Sequence, residues 1–342
     1  MPQKVVRTVE TWRRLGVDAD FIDIATGRLG DPGSDTADSF RPRFRAEWIL
    51  EMHRRTKSLR RVLDAVRPDL VYTRELLWSP GLGSMLADHR TVIEVNSDRG
   101  EELRSRSRLA SVFWRMTAPG LRRRAAGLVC VTEELASRVR APGVPSVVIG
   151  NAIDVSATAP RRSVSSDRPL VLMLVGGAAP WQGVDRFATL SEAMPEFEFA
   201  VCGDAGPDLA ALPASVRIIE ARSGPDLEEL LARTTVAFGT MALSRKGMVE
   251  ACPLKSRTSL AAGIPIVYAY EDPALRGDEP FALRIEDREI QTPAAIEEIR
   301  GFIRAASERP RMGVEAWEFA RRRLDVGIAE GDRIRFFDSI LA

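Results

Sequence analysis

Cysteine is scarce: Cys130, Cys202 and Cys252 are the three in 342 residues. They are far apart and form no C-x-x-C pair, which argues against a disulfide framework and a structural zinc site. Two histidines, His53 and His89, are too few for a histidine-rich metal enzyme. Lysine occurs only as Lys4, Lys57, Lys246 and Lys255, so arginine supplies most of the positive charge. An excess of either sign is also missing, with 49 basic against 48 acidic residues, and a general nucleic-acid binder is not expected. No apolar run reaches the roughly 18 residues of a membrane-spanning helix. Met1 to Glu10 lacks the apolar core of a signal peptide, so the cytoplasm is the expected compartment. Neither a Walker A motif nor G-x-G-x-x-G occurs, which disfavours a mononucleotide P-loop and a standard dinucleotide site.

What is present is alternation. Short runs rich in Val, Ile, Leu and Phe recur at Ala19–Ile24, Leu70–Tyr72, Thr91–Val95, Gly127–Val131 and Val147–Ile149. They resume at Leu170–Val175, Glu198–Cys202, Val216–Ile219, Val236–Gly239 and Ile264–Tyr268. Such runs suit strands buried on both faces of a parallel sheet, and the helical patterns between them imply repeated βαβ units. The length suits two domains of about 150 to 170 residues. Ser156–Asp167, rich in Ser, Ala, Pro and Arg, reads as the linker. Val314–Ala342 predicts two closing helices. The start is unusual: Gln3–Leu15 already reads as helix, where an α/β domain of this kind should open with a strand and a glycine-rich turn.

Five segments could carry chemistry. Val171–Asp185 runs a buried strand into Gly176 and Gly177, then through Trp181 and Gln182 into a helix near Val184. Small residues there let a ligand approach the backbone, while the alternative is a plain βα turn with Trp181 as packing. Arg245–Val267 holds Arg245, Lys246, Glu250 and Cys252 in a loop, then Pro253 and Leu254 at a helix start that continues through Lys255 and Thr258 to Gly263. Two of the four lysines sit here with Arg245 and Arg257, and that concentration of charge at a helix start suits a diphosphate. Cys202–Gly206, with Gly203 and Asp204, repeats the strand-end logic. Gly150–Asp154 reads as a turn in which Asn151 bonds its own backbone. Arg104–Arg124 is a basic stretch that reads first as a solvated helix face and second as a peripheral contact with the inner membrane face.

In their order these segments resemble glycosyltransferase family 4, whose fold is GT-B. Arg245–Val267 is similar to the donor-site pattern R-K-G-M-x-E-x-x-P-L-K-x-x-E-Y-L-A-x-G-x-P-V. Asn151-Ala-Ile-Asp154 resembles N-G-I-D, Trp181-Gln-Gly-Val-Asp185 resembles W-K-G-V-D, and Arg14-Leu-Gly16 resembles the start of L-x-x-x-G-H-x-V. The resemblance implies an α/β protein of two Rossmann-like, doubly wound domains facing each other across a cleft. The first, 1–155 joined by a helix over 322–342, would bind the acceptor, with Glu94 and Asn96 on that side. The second, 156–321, would bind a nucleotide-diphosphate sugar.

The implied activity is retaining, metal-independent sugar transfer to a glycan, lipid-linked or small-molecule acceptor, with no cofactor beyond the donor. Glu250 matches the glutamate that contacts the donor sugar, and Lys255 the lysine of P-L-K. Gly176, Gly177, Gln182, Gly203, Asp204, Arg245, Lys246, Cys252, Pro253, Leu254 and Thr258 would line the donor site. Three positions depart from the pattern: Thr258 stands for a ribose-binding glutamate, Gln182 for a phosphate-binding lysine and Gly177 for an arginine. Those departures also fit a non-catalytic GT-B binding or assembly partner. A nucleotide-sugar epimerase ranks last, because neither histidine has a suggestive position.

Overall fold

Two separate parallel sheets realise the alternation in the computed structural model, which describes residues 2–23, 29–30, 45–104, 107–156, 168–177, 179–204, 206 and 211–342. One unit comprises Met1–Ile149 with Ala329–Ala342, the other Gly150–Ile328. Most of the expected linker, 157–167, lies outside the described residues.

In the first unit β1 (Val71–Arg74), β2 (Thr91–Val95), β3 (Gly127–Cys130) and β4 (Ser146–Val148) lie side by side in that order, all parallel. The helices are α1 (Pro2–Arg14), α2 (Arg45–Val66), α3 (Leu82–Asp88), α4 (Arg99–Arg104), α5 (Arg108–Arg122) and α6 (Glu133–Arg138). Successive residues of a strand face opposite sides. Val92 and Val129 therefore enter one core, with Val9 and Trp12 of α1 and Phe337 near the chain's end. Ile93 points the other way, beside Leu82 and Leu86 of α3 and Trp114, Ala118 and Leu121 of α5.

Ala19–Ile24 is not a sheet strand. Ile22 makes a single antiparallel bridge with Leu29, and Ile24 lies outside the described residues. The backbone around it finds local partners instead: Ala19 O accepts from Arg13 Nε at 2.8 Å, and Phe21 O from Gly30 N at 2.9 Å. Val17, Ala19 and Phe21 still pack into the core, so the apolar pattern reports burial and not ladder pairing.

The second unit contains β5 (Leu170–Gly176), β6 (Glu198–Asp204), β7 (Val216–Ile219), β8 (Thr234–Phe238), β9 (Ile266–Tyr268) and β10 (Ala282–Arg284). Their order across the sheet is β10-β9-β8-β5-β6-β7, again all parallel. Its helices are α7 (Val184–Ala193), α8 (Pro225–Arg233), α9 (Leu254–Ala261), α10 (Pro293–Glu308), α11 (Pro310–Arg323) and α12 (Val326–Leu341), whose residues from Ala329 belong to the first unit. Phe187 of α7 packs edge-on against Phe199 and Phe238 at ring distances of 5.1 and 5.3 Å, fixing α7 over the centre of the sheet.

Candidate active site

Strand order locates the crevice. From β5 the chain adds β6 and β7 on one side, then returns to place β8, β9 and β10 on the other. At such a reversal the helices following the two central strands pass to opposite faces, leaving a crevice at the carboxyl ends of those strands. Here the central strands are β5 and β8, so the turn into α7 and the loop into α9 form its rims.

The two rims are bonded to each other. Met241 N donates to Gln182 O at 3.1 Å and Ala242 N to Trp181 O at 3.2 Å. Arg186 Nη1 donates to Met241 O at 2.5 Å and to Asp287 Oδ1 at 2.7 Å. Within this frame Gly177, at φ 137°, takes a conformation that strains any other residue, and Cβ atoms built on Gly176 and Gly177 meet nothing within 4 Å. Among the described residues nothing fills the space before that turn.

The cations have unequal fates. Arg245 makes a two-point pair with Asp185, Nη1–Oδ1 at 2.8 Å and Nη2–Oδ2 at 2.6 Å, and these bonds hold the Asp185 carboxyl below its ordinary range. Lys246 is buried with Nζ 4.8 Å from the centre of the Trp181 ring. Both cations of the expected concentration of charge thus have protein partners.

Lys255 differs. Its Nζ donates to the neutral Oε1 of Gln182 at 2.5 Å, across the crevice rims. Burial without a compensating carboxylate pushes its pKa down to about 7. It sits in the first turn of α9, where Pro253 precedes the helix, no side chain caps it and Leu254 is exposed. The first N–H groups of a helix lack intrahelical partners and favour an anion.

Arg257 is also held by protein groups. Its side chain is 1% exposed and points inward, with Nη1 on Asp272 Oδ2 at 2.5 Å and Nη2 on Asp272 Oδ1 at 2.7 Å; Asp272 is 0% exposed. Nη2 also reaches Cys252 Sγ at 2.8 Å, and Nε donates to Asn151 O at 3.2 Å. Asn151 bonds a residue distant in the sequence. Its N donates to Cys252 Sγ at 3.0 Å and its Nδ2 to Cys252 O at 2.7 Å. Cys252 is thus enclosed by protein partners, and burial raises its thiol pKa.

The remaining positions divide similarly. Gly203, at φ 128°, would place a Cβ 1.9 Å from Val175 O, so the packing of β6 on β5 demands glycine there without any ligand. Asp204 Oδ1 accepts from Gly206 N at 2.8 Å, bracing its own turn. Thr258 Oγ1 donates to Leu254 O at 3.0 Å, which leaves its lone pairs as acceptors only. Glu250 lines an open hollow of about 200 Å³ with Tyr268, Glu271, Asp272, Arg276 and Arg284. In the first unit Glu94 is buried: Oε2 accepts from Asn96 Nδ2 at 3.1 Å and Arg74 Nε at 3.4 Å, and Arg333 of α12 lies 3.8 Å from Oε1. Asn96 Oδ1 is buried with no partner among the described residues.

Residues 4–157 match the family model described as Glycosyltransferase Family 4. No curated protein matches the sequence. Among solved structures, sucrose-phosphate synthase from Thermosynechococcus elongatus is similar at a TM-score of 0.75 and 12% identity, over 98% of this chain and 92% of that one. HepE (Alr3699) of Anabaena, solved in complex with UDP-glucose, is similar at 0.61 and 16% identity, over 83% and 82%. A glycosyltransferase from Rickettsia africae is similar at 0.59 and 12% identity, over 90% and 84%. The first part of the chain, residues 4–157, is thus similar to glycosyltransferase family 4, and the fold is GT-B.

The motif positions that depart from the family 4 pattern have a physical description in this fold. Gln182 stands where the pattern has lysine, and it accepts a hydrogen bond from Lys255. At Gly177, where the pattern has arginine, a Cβ would meet nothing within 4 Å among the described residues. Thr258, in place of glutamate, is bonded back to its own helix. Of the pattern's cations, Arg245, Lys246 and Lys255 are retained.

Proposed function

We propose that this glycosyltransferase uses a UDP-linked sugar and transfers it with retention, without a metal, to a glycan, lipid-linked or small-molecule hydroxyl. The observation that carries the reading is Lys255 on the uncapped first turn of α9, at the point where the strand order of the second sheet reverses. The UDP-glucose in the HepE structure supports the choice of nucleotide. As the bond between the anomeric carbon and the diphosphate breaks, charge develops on the leaving oxygen. Lys255 and the free N–H groups of α9 stabilise it, and positioned donors of this kind contribute about 10²–10³ in rate each.

Glu250 orients the sugar hydroxyls, and Thr258 accepts a bond from the ribose. Asn96, whose buried Oδ1 lacks a partner among the described residues, accepts from the acceptor hydroxyl. The test is a thermal-shift titration with UDP, UDP-sugars and other nucleoside diphosphates, followed by transfer assays on Lys255→Ala and Glu250→Ala. UDP should raise the melting temperature, because a ligand preferring the native state stabilises it by mass action. No shift with any nucleotide would favour a binding or assembly partner, and unchanged rates in both variants would remove the site assignment.

A further inference from the structure

Helix α5 is apolar on two opposite faces. Ser111, Trp114, Ala118 and Leu121 are buried in the first unit. Leu109, Val112, Phe113 and Met116 are 64%, 54%, 41% and 77% exposed. At about 100° per residue these four fall within an arc of roughly 100°, directly opposite the buried row. Among the described residues no other helix exposes more than two large apolar side chains. Trp78 extends the apolar surface, with its ring edge-on to Phe113 at 5.9 Å.

Charge surrounds this stripe. Arg108 and Arg115 flank it along one edge, and Arg104, Arg123 and Arg124 stand exposed at its ends. α5 itself carries no acidic residue. From the neighbouring elements Glu101 of α4 pairs with Arg104 and Arg115, and Glu75 pairs with Arg122 at 2.6 Å. The balance around the stripe is positive. A second copy of this chain would bring the same arginines to the contact, so like charges would face each other. A surface of anionic phosphates over an apolar interior complements both features at once.

We propose that the outer face of α5 docks on an anionic lipid bilayer. Leu109, Val112, Phe113 and Met116 enter the boundary between headgroups and acyl chains, and the arginines bind lipid phosphates. No described helix is long and apolar enough to cross a membrane, so the contact is one of lying on the surface. The inference is independent of the donor reading: the face belongs to the first unit, and its test uses no sugar nucleotide.

The experiment is co-sedimentation of the full chain with vesicles of phosphatidylcholine alone and of phosphatidylcholine mixed with phosphatidylglycerol. Binding is expected on the mixed vesicles and should weaken as salt rises. Phe113→Glu/Met116→Glu and Arg108→Glu/Arg115→Glu should each lower the partition coefficient at least about tenfold, while Met116→Leu retains it. Circular dichroism melts confirm folding, with Leu109→Gln as the milder apolar variant should a double variant melt early. Equal partitioning onto both vesicle types would overturn the proposal, as would wild-type partitioning of the apolar variants. Sedimentation showing a dimer that Met116→Glu dissociates, without vesicle binding, would assign the face to a second copy instead.

Discussion

The two sheets are made from the same βα unit and both bury paired charge, but the second also holds a cation with a neutral partner. The first adds its strands in sequence, β1 to β4, with no reversal among the described residues. At its carboxyl edge Glu94 lies beneath α12 with Arg74, Asn96 and Arg333 around it, and Arg333 also pairs with Glu330. Trp12 of α1 donates to Glu330 at 2.6 Å, so these charges tie the two ends of the chain to one sheet. The second sheet reverses at β5 and β8, and the cation beside that reversal has a neutral partner. Charge paired with opposite charge holds structure together; charge held by an amide is left able to meet an anion.

The largest expected effect tests the paired side of this contrast. Arg257→Met strands the carboxylate of Asp272 in the interior and should destabilise the second unit by about 3–5 kcal/mol in urea unfolding. Arg333→Met should cost less, about 1–3 kcal/mol, because Glu94 keeps Arg74 and Asn96, and Glu330 keeps Trp12. Equal losses would mean that the two buried networks do not differ in how replaceable their arginines are.

Next comes the cation with the neutral partner. Lys255→Ala should lower kcat for transfer by about 10²–10³, or about 3–4 kcal/mol, without loss of melting temperature. Arg245→Ala should lower it by no more than about tenfold, since Asp185 already neutralises that guanidinium. A larger loss at Arg245 than at Lys255 would reverse the comparison.

The smallest effect is the pH dependence. Unliganded Lys255, with its pKa at about 7, is half protonated at neutral pH. A bound diphosphate raises that pKa, so the complex holds more protons than the free protein above pH 7. UDP affinity should then fall as pH rises from 7, by up to about tenfold per unit until the pKa of the complex is passed. The slope has the opposite sign for folding: the unfolded lysine keeps its proton to higher pH, so unliganded stability gains from this group over the same window. Calorimetry in buffers of different ionisation enthalpy should show proton uptake on binding, and Lys255→Arg should abolish it.

Much of the architecture is legible in the residues. Val171–Val175 is apolar without interruption, and Thr91–Val95 is apolar at Val92, Ile93 and Val95; such runs suit strands covered on both faces, and both are strands. The helix over Leu254–Ala261 follows from Pro253 before it and Gly263 after it. Ala19–Ile24 has the same apolar look without a strand to pair with, and β10, only three residues long, has too little pattern to stand out.

The site was legible as a set of segments and not as a set of partners. Lys255, Arg257, Arg245 and Lys246 look alike in sequence, four cations in one stretch. Gln182 lies 73 residues from Lys255, Asp185 60 from Arg245, and Asn151 106 from Arg257. What the sequence determined by itself is what short-range physics governs: which stretches are helix or strand, where glycine and proline punctuate them, and that charge gathers near Pro253. Only the tertiary structure decided which of those charges is buried against a carboxylate and which faces an amide. A charge's state depends on the groups within a few ångströms of it, and the folded path of the chain, not its order, brings those groups there.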